Sequence, residues 1–186
     1  KPAEVEPFEK MVTKHTHQTH CIVGARAYDI HAEKRLPLAL LINILGGPSA
    51  NSRLNILLRE KNGLSYNIEA NYTPYNDCGM VAMYFSTDHH NLDLCRELID
   101  KELRELRTTR LSSRRMAMTK RQFLAQMAIS MENNEGYMLG AGKSFLVHDE
   151  IDTLEEVYRK VSAVTAEQIM EVAEEIFSRT STLIYQ

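Results

Sequence analysis

An α+β fold, with an antiparallel sheet packed on one face by several helices, is predicted by the order in which the residue patterns change along the chain. Alternating strand patterns are grouped before residue 87, and helical patterns fill residues 88 to 177. The short apolar run TSTLIYQ closes the chain as a returning strand. At 186 residues with 44% apolar residues, the chain can bury a sizeable core as a single domain over 1–186.

Each element follows from local chemistry. Residues 1–13 carry two prolines and several charges, and read as a linker or an edge segment that needs a neighbour. A strand is expected from His15 to Tyr28. Pro37 sits in the first turn of a helix running to Leu45, where its missing amide costs little. Leu54, Leu57 and Leu58 recur at helical spacing, so a second helix is expected over about Ser52 to Lys61, with Ser49 or Asn51 as its cap. Gly63 is the expected left-handed residue after that helix, and Leu64 the apolar residue that folds back on it. Ser65 to Tyr75 and Gly79 to Ser86 form a hairpin around Asn76 and Asp77. In its first strand Tyr66, Ile68, Ala70 and Tyr72 alternate with Asn67, Glu69 and Asn71, one set facing inward.

Asp88 is positioned to cap a long helix whose Leu92, Cys95, Leu98, Ile99, Leu103 and Leu106 form one stripe. Ser112 or Ser113 restarts the chain into a helix reaching about Met131. A shorter helix from Asn133 to Val147 carries Gly136, Gly140 and Gly142. Thr153 with Glu156, and Thr165 with Gln168, are capping boxes that open two further helices.

Composition narrows the function classes. Net charge is −3 and the pI about 6.2, so nothing favours nucleic acid or an anionic membrane surface as a partner. Arg114, Arg115, Lys120 and Arg121 read as a solvated helix face, since Phe123 is their sole aromatic companion. No apolar run approaches a membrane span. Cys21, Cys78 and Cys95 cannot all pair with one another and have no C-x-x-C spacing, which points to free thiols and a reducing, cytoplasmic compartment. His15, His17 and His20 give H-x-H-x-x-H. His15 and His17 would share a strand face, but His20 points away and no carboxylate or cysteine completes a metal set. Gly46 and Gly47 lack the residues of a phosphate loop, and read as a helix end that permits close packing.

The most informative stretch is LGGPSANSRLNILLREKNGLSY, Leu45 to Tyr66. It sets Arg59 on the last turn of the second helix and Tyr66 at the entry to a strand, at one rim of the fold. A cation and a phenol so placed can bind a peptide carbonyl or the oxyanion that forms from it. Composition alone favours the other reading, Arg59 as a solvated helix-end cation complementing the dipole and Tyr66 as a half-buried strand aromatic.

The pattern LGG-x(4)-SRL-x(4)-RE-x(2)-GL-x-Y resembles the second domain of insulinase/pitrilysin-type zinc metallopeptidases, the group that includes mitochondrial processing peptidase. HQTHCIVGARAYD is similar to that domain's first strand and RLPLALLINILGG to its first helix. TPYNDCGMVAMYFSTD resembles its next hairpin and VTAEQIMEVAEEIF its final helix. The resemblance implies that Arg59 clamps a substrate carbonyl and that Tyr66 is the oxyanion donor. It also implies a partner, an N-terminal zinc-bearing domain or a partner subunit, facing this half across a closed chamber that holds a peptide substrate. The zinc motif H-x-x-E-H is absent here: His31-Ala32-Glu33-Lys34 has the wrong spacing and His148-Asp149-Glu150 lacks a second histidine. The fragment is therefore expected to hold no cofactor and to be inactive alone, with zinc in the N-terminal half. Starting at Lys1, it reads as an excised second domain. A homodimer is compatible with the sequence, because a half parted from its partner exposes apolar surface. The alternative implied by the same family is a scaffold or assembly domain with no proteolytic activity.

Overall fold

The computed structural model describes residues 6–186, and the contacts divide the chain into two compact units, residues 1–111 with 167–186 and residues 112–166. The first five residues of the expected linker lie outside the described part.

In the first unit, the described residues form a five-stranded sheet in the order β1-β5-β2-β4-β3. Its strands are β1 (Glu9–Val12), β2 (Thr19–Ala27), β3 (Ile68–Pro74), β4 (Gly79–Thr87) and β5 (Ser181–Tyr185). Pairing is antiparallel except at one edge, where β1 runs parallel to β5. The segment that reads as a linker or edge is thus an edge strand, completed by the returning C-terminal strand. Helices α1 (Arg35–Gly46), α2 (Leu92–Thr108) and α6 (Ala166–Phe177) belong to the same unit.

The period-two pattern sorts the sheet into rows. Ile184, Cys21, Phe85 and Ile68 face one another across β5, β2, β4 and β3, and Thr182, Val23, Met83 and Ala70 form the next row. All of these except Thr182 are buried. Burying a side chain the size of Phe85 or Met83 contributes about 1.5–3 kcal/mol. Burial also pushes the Cys21 thiol up to about 12, with the Arg96 guanidinium opposing it, so this cysteine stays protonated. The alternate residues Glu69, Asn71, Ile22, Arg26 and Met80 are exposed on the other face. Leu92, Cys95, Ile99, Leu103 and Leu106 of α2 are buried as the stripe requires, with Leu98 at its margin.

Two strand starts differ from expectation. β2 begins at Thr19 rather than His15: His15 adopts φ +49° and Lys14 bonds the carbonyl of Gln186, so the chain turns before the ladder opens. β3 begins at Ile68, two residues after Tyr66. Within the hairpin, the Ser86 amide donates to the Asn67 carbonyl (3.2 Å) and the Tyr75 amide to the Cys78 carbonyl (2.8 Å). Peptide groups alternate along a strand, so those of Ile68, Ala70 and Tyr72 lie on the open edge of the sheet.

In the second unit, α3 (Ser113–Met131) is capped by Ser112, which accepts from the Arg115 amide. Asn133 caps α4 (Asn134–His148) at Gly136. At α5 (Leu154–Ala163) the Thr153–Glu156 capping box is complete: Thr153 N–H donates to Glu156 Oε2 at 2.7 Å and Glu156 N–H to Thr153 Oγ1 at 3.2 Å.

Two measurements test these arrangements. A Cβ on Gly46 would lie 2.7 Å from that of Ala70, so Gly46→Ala is expected to cost about 1–3 kcal/mol in urea unfolding. An unchanged midpoint would mean that α1 does not cross β3 this closely. The hydrogen bonds from the Thr153 amide and hydroxyl hold the Glu156 carboxyl below its usual range. A depressed carboxyl stabilises the folded state above its unfolded pKa, and that contribution is lost as pH falls through the folded value. Glu156→Ala is therefore expected to lower Tm at neutral pH, by a margin that shrinks as pH is lowered through the carboxylate range, in paired thermal melts.

Candidate functional site

The segment after α1 is wound as a π-helix over Asn55–Lys61, wider than the α-helix that the leucine spacing suggests. Leu54 and Leu58 are fully buried and fix its inner side. Arg53, at its start, bonds Glu102 of α2 at 2.5 Å and Glu105 at 3.2 Å, with its side chain and that of Glu102 each only 15% exposed. A pair this enclosed positions the segment firmly, because losing either partner would strand a desolvated charge.

The segment ends at Gly63, with φ +61°. The Gly63 amide donates to the Arg59 carbonyl (3.0 Å) and the Leu64 amide to the Leu58 carbonyl (2.7 Å), while Asn62 Nδ2 reaches the Leu57 carbonyl at 2.7 Å. These bonds occupy the carbonyls that a helix end leaves open. Leu64 is then held in place by Thr87, whose hydroxyl donates to its carbonyl at 2.7 Å, and the buried Ser65 hydroxyl donates to the Asn67 carbonyl at 3.2 Å. The expected glycine cap is therefore present, and it reverses the chain within a few residues.

The result is a groove of about 400 Å³ lined by Gly46, Gly47, Asn55, Arg59, Tyr66 and residues 67–71. Arg59 and Tyr66 both line it. The Arg59 side chain is half exposed and its Nε lies 3.7 Å from Glu60 Oε1. Tyr66 is 80% exposed, so the half-buried strand position expected for it is corrected: it precedes the ladder, and the turn at Ser65 directs it away from the inward face of Ile68 and Ala70. Tyr72, which does lie on the inward side, donates its hydroxyl to the Tyr28 carbonyl at 2.8 Å, and burial pushes its phenol up to about 12. Among the described residues the Tyr66 hydroxyl makes no hydrogen bond. Asn55, Asn67 and Glu69 also face the groove, although their sequence positions signal only polarity.

The other candidates are placed elsewhere. His20 Nδ1 shares a 2.7 Å hydrogen bond with the Tyr84 hydroxyl, and His15 and His17 precede β2. Among the described residues no three His, Cys, Asp or Glu side chains are grouped to hold a metal. His89 is bound on both ring nitrogens, to Thr19 Oγ1 at 2.7 Å and the Thr16 carbonyl at 3.0 Å. A second cavity, about 260 Å³, lies by β1, and its Arg96 is already held by Glu9 at 2.6 Å.

The geometry of the turn gives a direct test. An added Cβ at Gly63 meets nothing within 4 Å, so the cost of a side chain there is conformational alone. Gly63→Ala is expected to lose about 1–2 kcal/mol and Gly63→Asn distinctly less, read from urea midpoints. Equal losses would show that the left-handed conformation is not what the position demands.

The profile of the family described as "Peptidase M16 inactive domain" matches residues 1–123. An uncharacterized zinc protease of Bacillus subtilis is 29% identical over 170 residues, which cover 91% of this chain and 41% of that one. An uncharacterized zinc protease of Rickettsia felis is 26% identical over 181 residues, 97% of this chain and 44% of its own. The chain thus spans less than half the length of these curated relatives. The crystal structure of a peptidase M16 inactive domain from Pseudomonas fluorescens aligns with TM-score 0.86 at 20% identity, over 100% of this chain and 45% of that one. A protease from Helicobacter pylori aligns with TM-score 0.85 at 16% identity, over 96% of this chain and 43% of that one. At such identities the structural likeness establishes the fold.

Proposed function

The chain belongs to the peptidase M16 inactive-domain family, and on that premise we propose that residues 1–186 are the C-terminal, substrate-binding half of a two-domain zinc endopeptidase. The observation that carries this reading is the shared groove: an exposed phenol without a hydrogen-bond partner and a half-exposed guanidinium line it together, at the start of the sheet's open edge.

In this reading an extended peptide lies beside β3 and pairs with its outward peptide groups, beginning at Ile68. Arg59 donates to a substrate carbonyl next to the scissile bond. The Tyr66 hydroxyl donates to the oxygen of the carbonyl under attack, whose negative charge grows as the tetrahedral intermediate forms. A donor carried on backbone already set by the turn at Gly63 needs less reorganisation at that moment, and such groups favour the transition state over the bound substrate. The described residues of this chain do not fit a zinc ion, so the metal and its water are assigned to an N-terminal domain or partner subunit, and the chain alone is not expected to hydrolyse peptides. No described helix is long and apolar enough to cross a membrane.

In the full-length protein, Tyr66→Phe is expected to lower kcat by about 10²–10³ with little change in KM, because the lost donor acts on charge that appears only in the transition state. Arg59→Ala is expected to raise KM as well, since a carbonyl clamp also holds the ground state. Steady-state kinetics on a quenched fluorescent peptide separates the two. Unchanged turnover in folded Tyr66→Phe would remove the catalytic assignment, whereas a folded full-length parent with no turnover at all would favour a scaffold of the same fold.

A further inference from the structure

One groove residue is left without a role by this chemistry. Asn55 opens the π-helix and lines the groove four residues before Arg59. Asparagine is a poor choice inside a helix, because its side chain competes for nearby backbone groups. Here it bonds a side chain instead: Asn55 Nδ2 donates to Ser52 Oγ at 2.9 Å, and that serine is only 2% exposed. With the amide nitrogen tied to a buried hydroxyl, Oδ1 is the end left for the groove. Among the described residues no other group bonds the Asn55 side chain. Residues four apart on a helix are neighbours, about 5–6 Å between Cβ atoms, so Asn55 stands beside Arg59 on the same side.

Resting on the peptide-binding reading above, we infer that Asn55 is a second clamp on the substrate main chain, its Oδ1 accepting a peptide N–H. The groove has two walls, residues 67–71 of the β3 edge and, across from them, Gly46, Gly47, Asn55 and Arg59. An extended peptide has two hydrogen-bonding edges. When one pairs with β3, the other faces Asn55 and Arg59. Groups on one edge recur at every second residue, about 6.6 Å apart, a spacing that two neighbouring side chains can span. A guanidinium has no acceptor, so Arg59 takes a carbonyl; an amide oxygen has no hydrogen, so Asn55 Oδ1 takes an N–H. The pair therefore reads the main chain in one direction and register rather than any side chain. Every residue except proline supplies that N–H. The substrate class is an extended peptide with proline excluded at one position on the edge that Arg59 holds.

The test is fluorescence anisotropy of this chain with a labelled ten-residue peptide, rich in alanine and threonine and without repeats. It is titrated to about 1 mM, the upper end of ordinary KM values. Each peptide bond in turn is replaced by an ester, which removes one N–H and adds no bulk. Esters at N–H groups that pair with β3 are expected to weaken binding to the parent and to Asn55 variants alike. At one position on the opposite edge, the ester is expected to weaken binding to the parent about fivefold, the range of a single hydrogen bond, and to cost Asn55→Ala nothing. Asn55→Leu, which keeps the size of the side chain, is expected to behave as Asn55→Ala does; circular dichroism verifies that both fold. If the amide peptide binds but every ester penalty is the same in parent and variants, Asn55 has a structural role alone: the clamp is overturned and the peptide-binding reading stands. If neither the amide peptide nor any ester binds, both are overturned.

Discussion

The backbone reversal at Gly63 determines where the functional side chains stand. The bonds from Gly63 to Arg59 and from Leu64 to Leu58 close a helix on one side of the glycine and release the chain into a strand on the other. Arg59 precedes the reversal by four residues and Tyr66 follows it by three. Both ends are anchored independently, the helix by Arg53 on Glu102 and the strand entry by Thr87 on the Leu64 carbonyl. The groove thus draws its rigidity from main-chain and flanking side-chain hydrogen bonds, in which the Tyr66 hydroxyl takes no part. Such support from surrounding groups is what a preorganised donor requires.

The sheet presents two unlike surfaces, and the difference is written at single-residue spacing. Cys21, Val23, Phe85 and Met83 turn inward, while Ile22, Tyr84 and Glu69 face out. A sheet covered on one side by helices leaves its other side to solvent or to a partner, and β3 also leaves a line of peptide groups open. The groove lies where this open edge meets the end of α1. Gly46 and Gly47 permit that meeting: a side chain on either would collide with Ala70 or with Asn43.

Much of this was legible because periodicity and turn chemistry act locally. The α2 stripe, the Gly63 cap, the hairpin at Asn76 and Asp77 and the Thr153 capping box all rest on residues a few positions apart. What local pattern could not supply was any feature decided by distant partners. Tyr66 continues the alternation of Ile68 and Ala70, yet it stands outside because the ladder with β4 opens only at Asn67 and Ile68. The parallel seating of β1 depends on β5, at the opposite end of the chain. His15 and His17 keep a strand-like spacing but fall in a turn whose course is set by Gln186 and His89. Glu69 carries no local signal beyond its polarity. Its surroundings come from Tyr84 and Ile22, which only the sheet register brings alongside.

The winding of Asn55–Lys61 has a bearing on how this chain tolerates change in length. A π-turn holds one residue more than the α-turn into which it can relax. Dropping a single position between Asn55 and Leu58 would let the segment tighten to α-helical winding, six residues then turning through about the angle that seven turn through now, so the chain beyond would keep nearly its present orientation. This turn is therefore expected to absorb the loss of one residue more readily than a regular α-turn would.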